Sequence, residues 1–345
     1  MKKILSALVF LAAAVIIGGS LLPGEVEMER GTVIAAPQCT VFALTNGYAL
    51  INEWSPWTQI DPDGTTYEFS GPNQGVGARM AWSSEHPEVG VGSQEITVSV
   101  PFKEVRSKLI FEGQGDADAY FLLEPTAQAE GDDGATGVDV RWGFSSELGR
   151  NPINRIFGFF FLEGMLGPQY EQGLAQLKTF AESMPDTDWC DMEAELLDVE
   201  SQTVAYVEAS SSLEHAEIAA TYGKSYGQIM AFMGEHGLQG AGPPLSINKS
   251  WGETYEFEPG IPVLTAPEDM PEDSAVKIGQ TYAGKAVRAI HVGPYGELAK
   301  TYGKVDAMIK VRGLTKSGSP WDVWISDPSQ TPEAELVTHV YVPVE

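Results

Sequence analysis

Tyr226-Gly227-Gln228-Ile229-Met230-Ala231-Phe232-Met233-Gly234-Glu235-His236-Gly237-Leu238 has a counterpart later in the chain, Tyr302-Gly303-Lys304-Val305-Asp306-Ala307-Met308-Ile309-Lys310-Val311-Arg312-Gly313-Leu314. In each copy Tyr-Gly precedes Gly-Leu by 11 positions, and the glycine precedes Pro244 or Pro320 by 7. Every landmark is displaced by the same 76 residues. Each copy then closes on a strand pattern, Tyr255–Val263 or Leu336–Val344. Two units are too few for a solenoid, so the repeat predicts one pseudo-symmetric domain with a pocket at the seam of its halves.

Ahead of the repeat, residues 24–184 read as a separate unit. Val26–Ile34 alternates as a strand, and Cys39–Trp54 reads as a helix ending at Ser55-Pro56. Strand patterns follow at Thr66–Ser70, Gly77–Ser83, Ser93–Val100, Lys103–Glu112, Ala117–Glu124 and Gly137–Ser145. Turn sequences separate them at Asp61-Pro62-Asp63-Gly64, Gly113-Gln114-Gly115 and Gly131-Asp132-Asp133-Gly134. Pro152 to Met184 is a long amphipathic helix, expected to kink at Gly164, Gly167 and Pro168. The order predicts an antiparallel sheet wrapped on a long helix, with an apolar cavity between them. Residues 185–191 are an acidic linker, and 192–345 hold the repeat. The fold class is α+β.

At the N-terminus, Met1-Lys2-Lys3 precedes an uncharged apolar run from Ile4 to Leu22. Its length is near the ~20 residues that span a bilayer, and no A-x-A site ends it. Residues 1–23 are therefore expected to be a single-pass membrane anchor, with the later domains on the extracytoplasmic side. Secretion after cleavage of a signal peptide is the alternative.

The chain has 48 acidic against 21 basic residues, a net charge of −27. Such a chain repels phosphate backbones, so no nucleic-acid partner is expected. The two cysteines, Cys39 and Cys190, fall in different predicted segments and read as buried, unreactive thiols, although export would permit a disulfide. Alone they cannot complete a four-ligand zinc site. His86, His215, His236, His291 and His339 show no metal-ligand spacing, so neither metal nor cofactor is expected. There is no G-x-S-x-G elbow, phosphate loop, dinucleotide fingerprint or H-E-x-x-H.

Glu53-Trp54-Ser55-Pro56-Trp57, Gly75–Trp82, Gly92–Ile96 and Trp142-Gly143-Phe144 resemble the polyketide-cyclase branch of the START-like (SRPBCC) superfamily. This resemblance implies a helix-grip fold with a hydrophobic ligand cavity over residues 24–184. Val287-Arg288-Ala289-Ile290-His291-Val292-Gly293-Pro294-Tyr295 and Pro320–Pro328, with the closing strand after Thr331, resemble the GyrI-like, AraC-type effector-binding family over 192–345. That resemblance implies two β-α-β-β halves. In regulatory members the domain captures lipophilic, often cationic molecules with aromatic side chains around an acid. Some stand-alone members are similar to hydrolases of electrophilic small molecules.

The candidate ligand-binding residues are Tyr295, Trp321, Glu335, His339, Glu258 and Trp251, with Tyr226 and Tyr255 as weaker ones. Tyr295, Glu335 and His339 are the candidates if a reaction is catalysed. Tyr226 and Tyr302 hold matching helix positions and read first as core. Trp321 and Trp324 stand an odd number of residues apart on a strand, so they should face opposite sides of the sheet. His291 reads as a hydrogen-bonded strand histidine. At His339 the family commonly carries Glu, so a fixed counter-ion is replaced by a group titrating near neutrality. Glu258 keeps an acid at the matching place in the first copy. The expected function is capture of a small hydrophobic or cationic ligand by a membrane-anchored extracytoplasmic protein with a pocket in each domain. Hydrolysis of electrophilic or xenobiotic compounds is the alternative, and a structural role is a third.

Overall fold

The computed structural model describes residues 2–113, 115–126, 137–267, 269 and 273–345, with side chains of the first helix described at 10 and from 13 onward. The chain divides into two compact units, Met1–Cys190 with Val311–Gly313, and Asp191–Lys310 with Leu314–Glu345.

The first unit opens with α1 (Lys2–Leu21), β1 (Glu25–Ile34) and α2 (Gln38–Thr45). The strands β2 (Thr66–Ser70), β3 (Arg79–Ser83), β4 (Val91–Val100), β5 (Glu104–Phe111), β6 (Gly115–Pro125) and β7 (Val138–Glu147) follow. It closes with α3 (Pro152–Phe157), a π-turn at Gly158–Leu162 and α4 (Glu163–Glu182). All neighbouring strands are antiparallel, in the order β1-β7-β6-β5-β4-β3-β2. Period-2 patterning sets the inner face: Ala117, Ala119, Phe121 and Leu123 of β6 are buried, as are Val138, Val140, Trp142 and Phe144 of β7. Tyr170, Leu174, Leu177 and Ala181 form the matching stripe on α4, three or four residues apart. Trp142 lies 4.2 Å from Tyr170, and Trp54, Trp57 and Phe121 pack around that pair at 5.0–6.1 Å. These rings occupy space between sheet and helix where the sequence suggested a cavity.

Three further expectations need correcting, and a fourth is left untested by the described side chains. The helix expected over Cys39–Trp54 stops at Thr45, because the backbone at Gly47 bridges Gln74 too closely for any side chain: a Cβ there would lie 2.7 Å from Asn73 O. The long helix is irregular at Gly158–Leu162 rather than at Gly164, Gly167 or Pro168, and Pro168 sits inside α4. The cysteines are not free. Cys39 and Cys190 form a disulfide with Cα atoms 5.1 Å apart, a pairing their separation of 151 residues conceals. Lastly, residues 1–9, 11 and 12, which carry much of the expected membrane span, lie outside the described side chains. Among the described residues no helix is long and apolar enough to cross a membrane, so the span is not borne out by the structure. The turns at Gln114 and Gly131-Asp132-Asp133-Gly134 also lie outside the described residues.

The second unit contains β8 (Ala194–Val199), β9 (Thr203–Tyr206), β10 (Ala209–Ser211), α5 (His215–Glu235), β11 (Leu245–Trp251), β12 (Tyr255–Pro262) and β13 (Lys277–Gln280). It continues through β14 (Gly284–Val292), α6 (Leu298–Val311), β15 (Trp321–Trp324) and β16 (Val337–Pro343). The sheet runs β13-β9-β12-β11-β15-β16-β14-β8, with β10 beside β12. Read outward from the middle, the order is symmetric, and its centre is the antiparallel pair β11·β15. Gly237 and Gly313, 76 residues apart, close the two helices with φ of 64° and 66°. That left-handed conformation favours glycine at both repeats. Ile229 and Phe232 of α5 pack into a core with Ala205, Val207, Val263 and Val276.

The disulfide closes a long loop, so its removal should cost typically about 2–5 kcal/mol. Reduction, or Cys39→Ser, is expected to lower the midpoint of thermal unfolding by several degrees. Calorimetry with and without reductant checks this; an unchanged midpoint would show that the bridge adds nothing to the fold.

Candidate functional site

The seam pairs the repeat with itself. Ser246 of β11 lies opposite Asp322 of β15, and these two positions are separated by the repeat's own offset. Their side chains share the sheet face covered by α5 and α6. Tyr222 of α5 donates to Ser246 Oγ at 2.9 Å, and Tyr302 of α6 donates to Asp322 Oδ1 at 2.9 Å. Asn248 Nδ2 donates to Asp322 Oδ2 at 2.9 Å and lies 2.9 Å from Tyr302 OH. Tyr255 donates in turn to Asn248 Oδ1, and its hydroxyl is 3.1 Å from that of Tyr222.

A second tyrosine arrangement mirrors the first. Tyr226, the partner of Tyr302 in the repeat, donates to Leu245 O at 2.8 Å and accepts from Trp324 Nε1 at 2.8 Å. Trp324 is the repeat partner of Asn248. Each helix tyrosine is thus held by the side chain at one equivalent strand position of the other half. Trp324 stands edge-on to Tyr222 at 5.8 Å and to Tyr295 at 5.0 Å. Phe257 stacks beneath Tyr255 at 4.3 Å and lies 4.5 Å from Tyr222.

Asp322 is only 3% exposed, and among the described residues no basic side chain acts on it. Burial pushes its carboxyl up to about 6, opposed by the hydrogen bonds from Asn248 and Tyr302. Burial also raises Tyr222, Tyr226, Tyr255 and Tyr302, so these phenols stay protonated as donors. The result is a carboxyl without a cation, inside a cage of rings whose outer members Tyr222, Tyr226 and Trp324 are only part-buried and Tyr295 is exposed.

The other face of the sheet carries different groups. Trp321 stacks on Tyr341 at 4.8 Å and lies 5.9 Å from Tyr282. A cavity of ≈ 160 Å³ there is lined by Ile247, Thr281, Tyr282, Ser319 and Trp321. Glu258 pairs with Ile247, and His339 with Val323, in the same relation within each half, so the two are equivalent in the fold. Glu258 is paired with Lys249 at 3.3 Å, and Arg288 with Glu195. Burial and the nearby Arg288 lower the pKa of His339.

The candidates read from the sequence therefore separate. Trp321, His339 and Glu258 share the outer face, while Tyr295, Tyr226 and Tyr255 belong to the cage around Asp322. Trp251 lies 4.1 Å from Tyr255 but is largely exposed. Glu335 is exposed in the 3₁₀ turn Glu333–Glu335. Tyr295 and His339 do not border one cavity. Trp321 and Trp324 face opposite sides, as their spacing predicts. His291 is buried, with Nδ1 2.8 Å from Thr301 Oγ1 and Nε2 3.1 Å from Pro294 O. Asp322 itself was not among the candidates. The available sign was an acid standing where the other repeat has Ser246.

Residues 192–345 match the GyrI-like small molecule binding domain. Among solved structures, this GyrI-like region is similar to the EcmrR–DNA complex, with 20% identity, 45% of this chain and 57% of that chain covered, and a TM-score of 0.40. The match thus spans just over half of that EcmrR chain. It is also similar to the EcmrR C-terminal domain (20% identity, 45% and 98% covered, TM-score 0.36). A hydrolase from Listeria innocua is similar as well (17% identity, 44% and 92% covered, TM-score 0.33). No curated protein matches the sequence.

The raised pKa has a consequence for stability. The folded value of about 6 lies above the unfolded value of about 3.9, so the contribution of Asp322 is fully present below pH ~4 and lost as pH rises through about 6. The loss amounts to about 3 kcal/mol by pH 8. Asp322→Asn should therefore gain about that much relative to wild type between pH 4 and pH 8. Denaturant unfolding of both proteins at the two pH values measures it, and a difference independent of pH would exclude the buried ionisation.

Proposed function

We propose that the GyrI-like domain captures a small hydrophobic cation in the ring cage over Asp322. The observation that carries this reading is a buried carboxyl with no positive partner beside tyrosine and tryptophan rings. A cation entering the cage would let Asp322 ionise and supply the charge its site lacks. Ring faces would add about 0.5–2 kcal/mol of cation–π attraction, more as water is excluded. Rotation of the part-buried Trp324 and the exposed Tyr295 would open the way in. The match to a small-molecule-binding domain supports a ligand of this size. The net charge of −27 supports a cationic partner and disfavours nucleic acid.

Binding is favoured over hydrolysis on geometry. The sequence candidates for a catalytic acid and base do not meet: Glu335 is exposed, and His339 faces away from Tyr295. Capture needs only the charge and the rings.

The reading extends to the rest of the chain. The strand order β1-β7-β6-β5-β4-β3-β2 and the C-terminal helix α4 support the START-like resemblance of the first unit. The Cys39–Cys190 disulfide supports an exported location, since such bonds persist in oxidising compartments. With the apolar run Ile4–Leu22, this favours an extracytoplasmic receptor or scavenger held at the membrane.

Titration of the full chain with hydrophobic quaternary amines and neutral isosteres, followed by tryptophan fluorescence, tests the site. Amines should bind and neutral isosteres bind at least tenfold more weakly. Amine affinity should rise as pH passes 6, and Asp322→Asn should abolish the discrimination. Trp324→Ala should weaken both ligand classes, whereas Trp321→Ala should leave them unchanged. Equal affinity for charged and neutral ligands, or loss only with Trp321→Ala, would refute the Asp322 cage.

A further inference from the structure

The α3 helix of the first unit and the π-turn that follows it expose an unusual run of apolar side chains. Ile153, Phe157, Phe159, Phe160 and Phe161 are between 48% and 66% exposed, whereas Gly158 among them is buried. The rings touch chiefly one another: Phe157 stacks on Phe161 at 5.9 Å, and Phe159 meets Phe160 edge-on at 5.0 Å. Single exposed hydrophobics need no explanation, but a contiguous group marks an interaction surface.

Geometry indicates the kind of partner. Successive side chains on a helix turn by about 100°, and by somewhat less in a π-turn, so Phe159, Phe160 and Phe161 fan through about 160–200°. Phe157, four residues before Phe161, lies on the same side as that ring and widens the fan little. A flat protein face covers a stripe of roughly 100° of a helix, so rings fanned over about half the circumference would be only partly covered against it. A fluid apolar medium surrounds them all. Charge agrees: Arg155 is the only ionisable side chain between Ile153 and Leu162. It is occupied, donating from Nη1 to Ser20 O and Leu22 O, each at 3.1 Å. Those bonds, with the tight approach of Gly19 to Pro152, fix the phenylalanine segment to the end of α1. There Ile17 and Leu21 are also exposed, at 61% and 82%.

We infer that the Phe157–Phe161 turn is a bilayer-seating element that inserts into the interfacial layer of a neutral lipid membrane beside the end of α1. Exposed aromatic side chains of this kind bury at the headgroup boundary without crossing it. The element therefore does not depend on whether the residues before Leu22 span the membrane. With a net charge of −27, the chain should prefer zwitterionic over anionic lipid.

The experiment uses the full chain with phosphatidylcholine vesicles. A bimane label at Phe160→Cys is compared with one at Glu88→Cys, an exposed position on the same unit. In vesicle-bound protein, nitroxide-bearing lipid should quench the label at 160 severalfold more than that at 88. Phosphatidylglycerol should reduce the effect. A label at Ile153→Cys should report the same insertion if Phe160→Cys perturbs the turn. Serine at 159, 160 and 161 together should remove quenching at 153. The inference is overturned if the 153 and 160 labels stay water-exposed in bound protein, if no vesicle binding occurs, or if they become shielded only by lipid-free self-association.

Discussion

The second unit depends on the pairing of Ser246 with Asp322 across the β11·β15 seam. Antiparallel pairing about a pseudo-twofold puts equivalent residues opposite one another, so the seam is where the two copies can differ with most effect. One copy has a hydroxyl, which accepts from Tyr222. The other has a carboxyl in the same buried layer, where water cannot solvate it. Tyr302 and Asn248 supply two hydrogen bonds, yet burial still raises the carboxyl to about 6. The surrounding tyrosines are thereby fixed in role as protonated phenols, which can donate.

This constraint explains why the two faces of one sheet differ in chemistry. On the outer face Glu258 is paired with Lys249, and Arg288 with Glu195. His339 is driven toward its neutral form by burial and Arg288. On the helix-covered face Asp322 is unmatched. Under the proposed function, charge selectivity would belong to that face, even though the outer one carries Trp321 and His339.

Much of the fold was legible in the sequence, because periodicity and the repeat are local features. Thr66–Ser70 agrees with the structure at both ends, and the opposite orientations of Trp321 and Trp324 followed from strand alternation alone. The site was less legible. A carboxylate in a strand reads as solvent-facing by default, and only register shows that Asp322 points under α6. Tyr226 and Tyr302 were read as core from their helix positions; they are part-buried, but their hydroxyls also organise the cage. Cys39 and Cys190 could not be paired from spacing, since nothing between them marks where the chain returns. The end of α2 at Thr45 likewise depends on a bridge from Gly47 to Gln74, a tertiary contact with no helical pattern to announce it.

The central claim is that Asp322 is a buried acid awaiting a positive partner. Its carboxyl resonance, followed by carbon NMR across pH with and without a saturating hydrophobic quaternary amine, tests this most directly. The account predicts a midpoint near 6 in the free protein, falling toward the ordinary carboxylate range when the amine is bound. A midpoint already in the ordinary range, or one that the amine leaves in place, would contradict it.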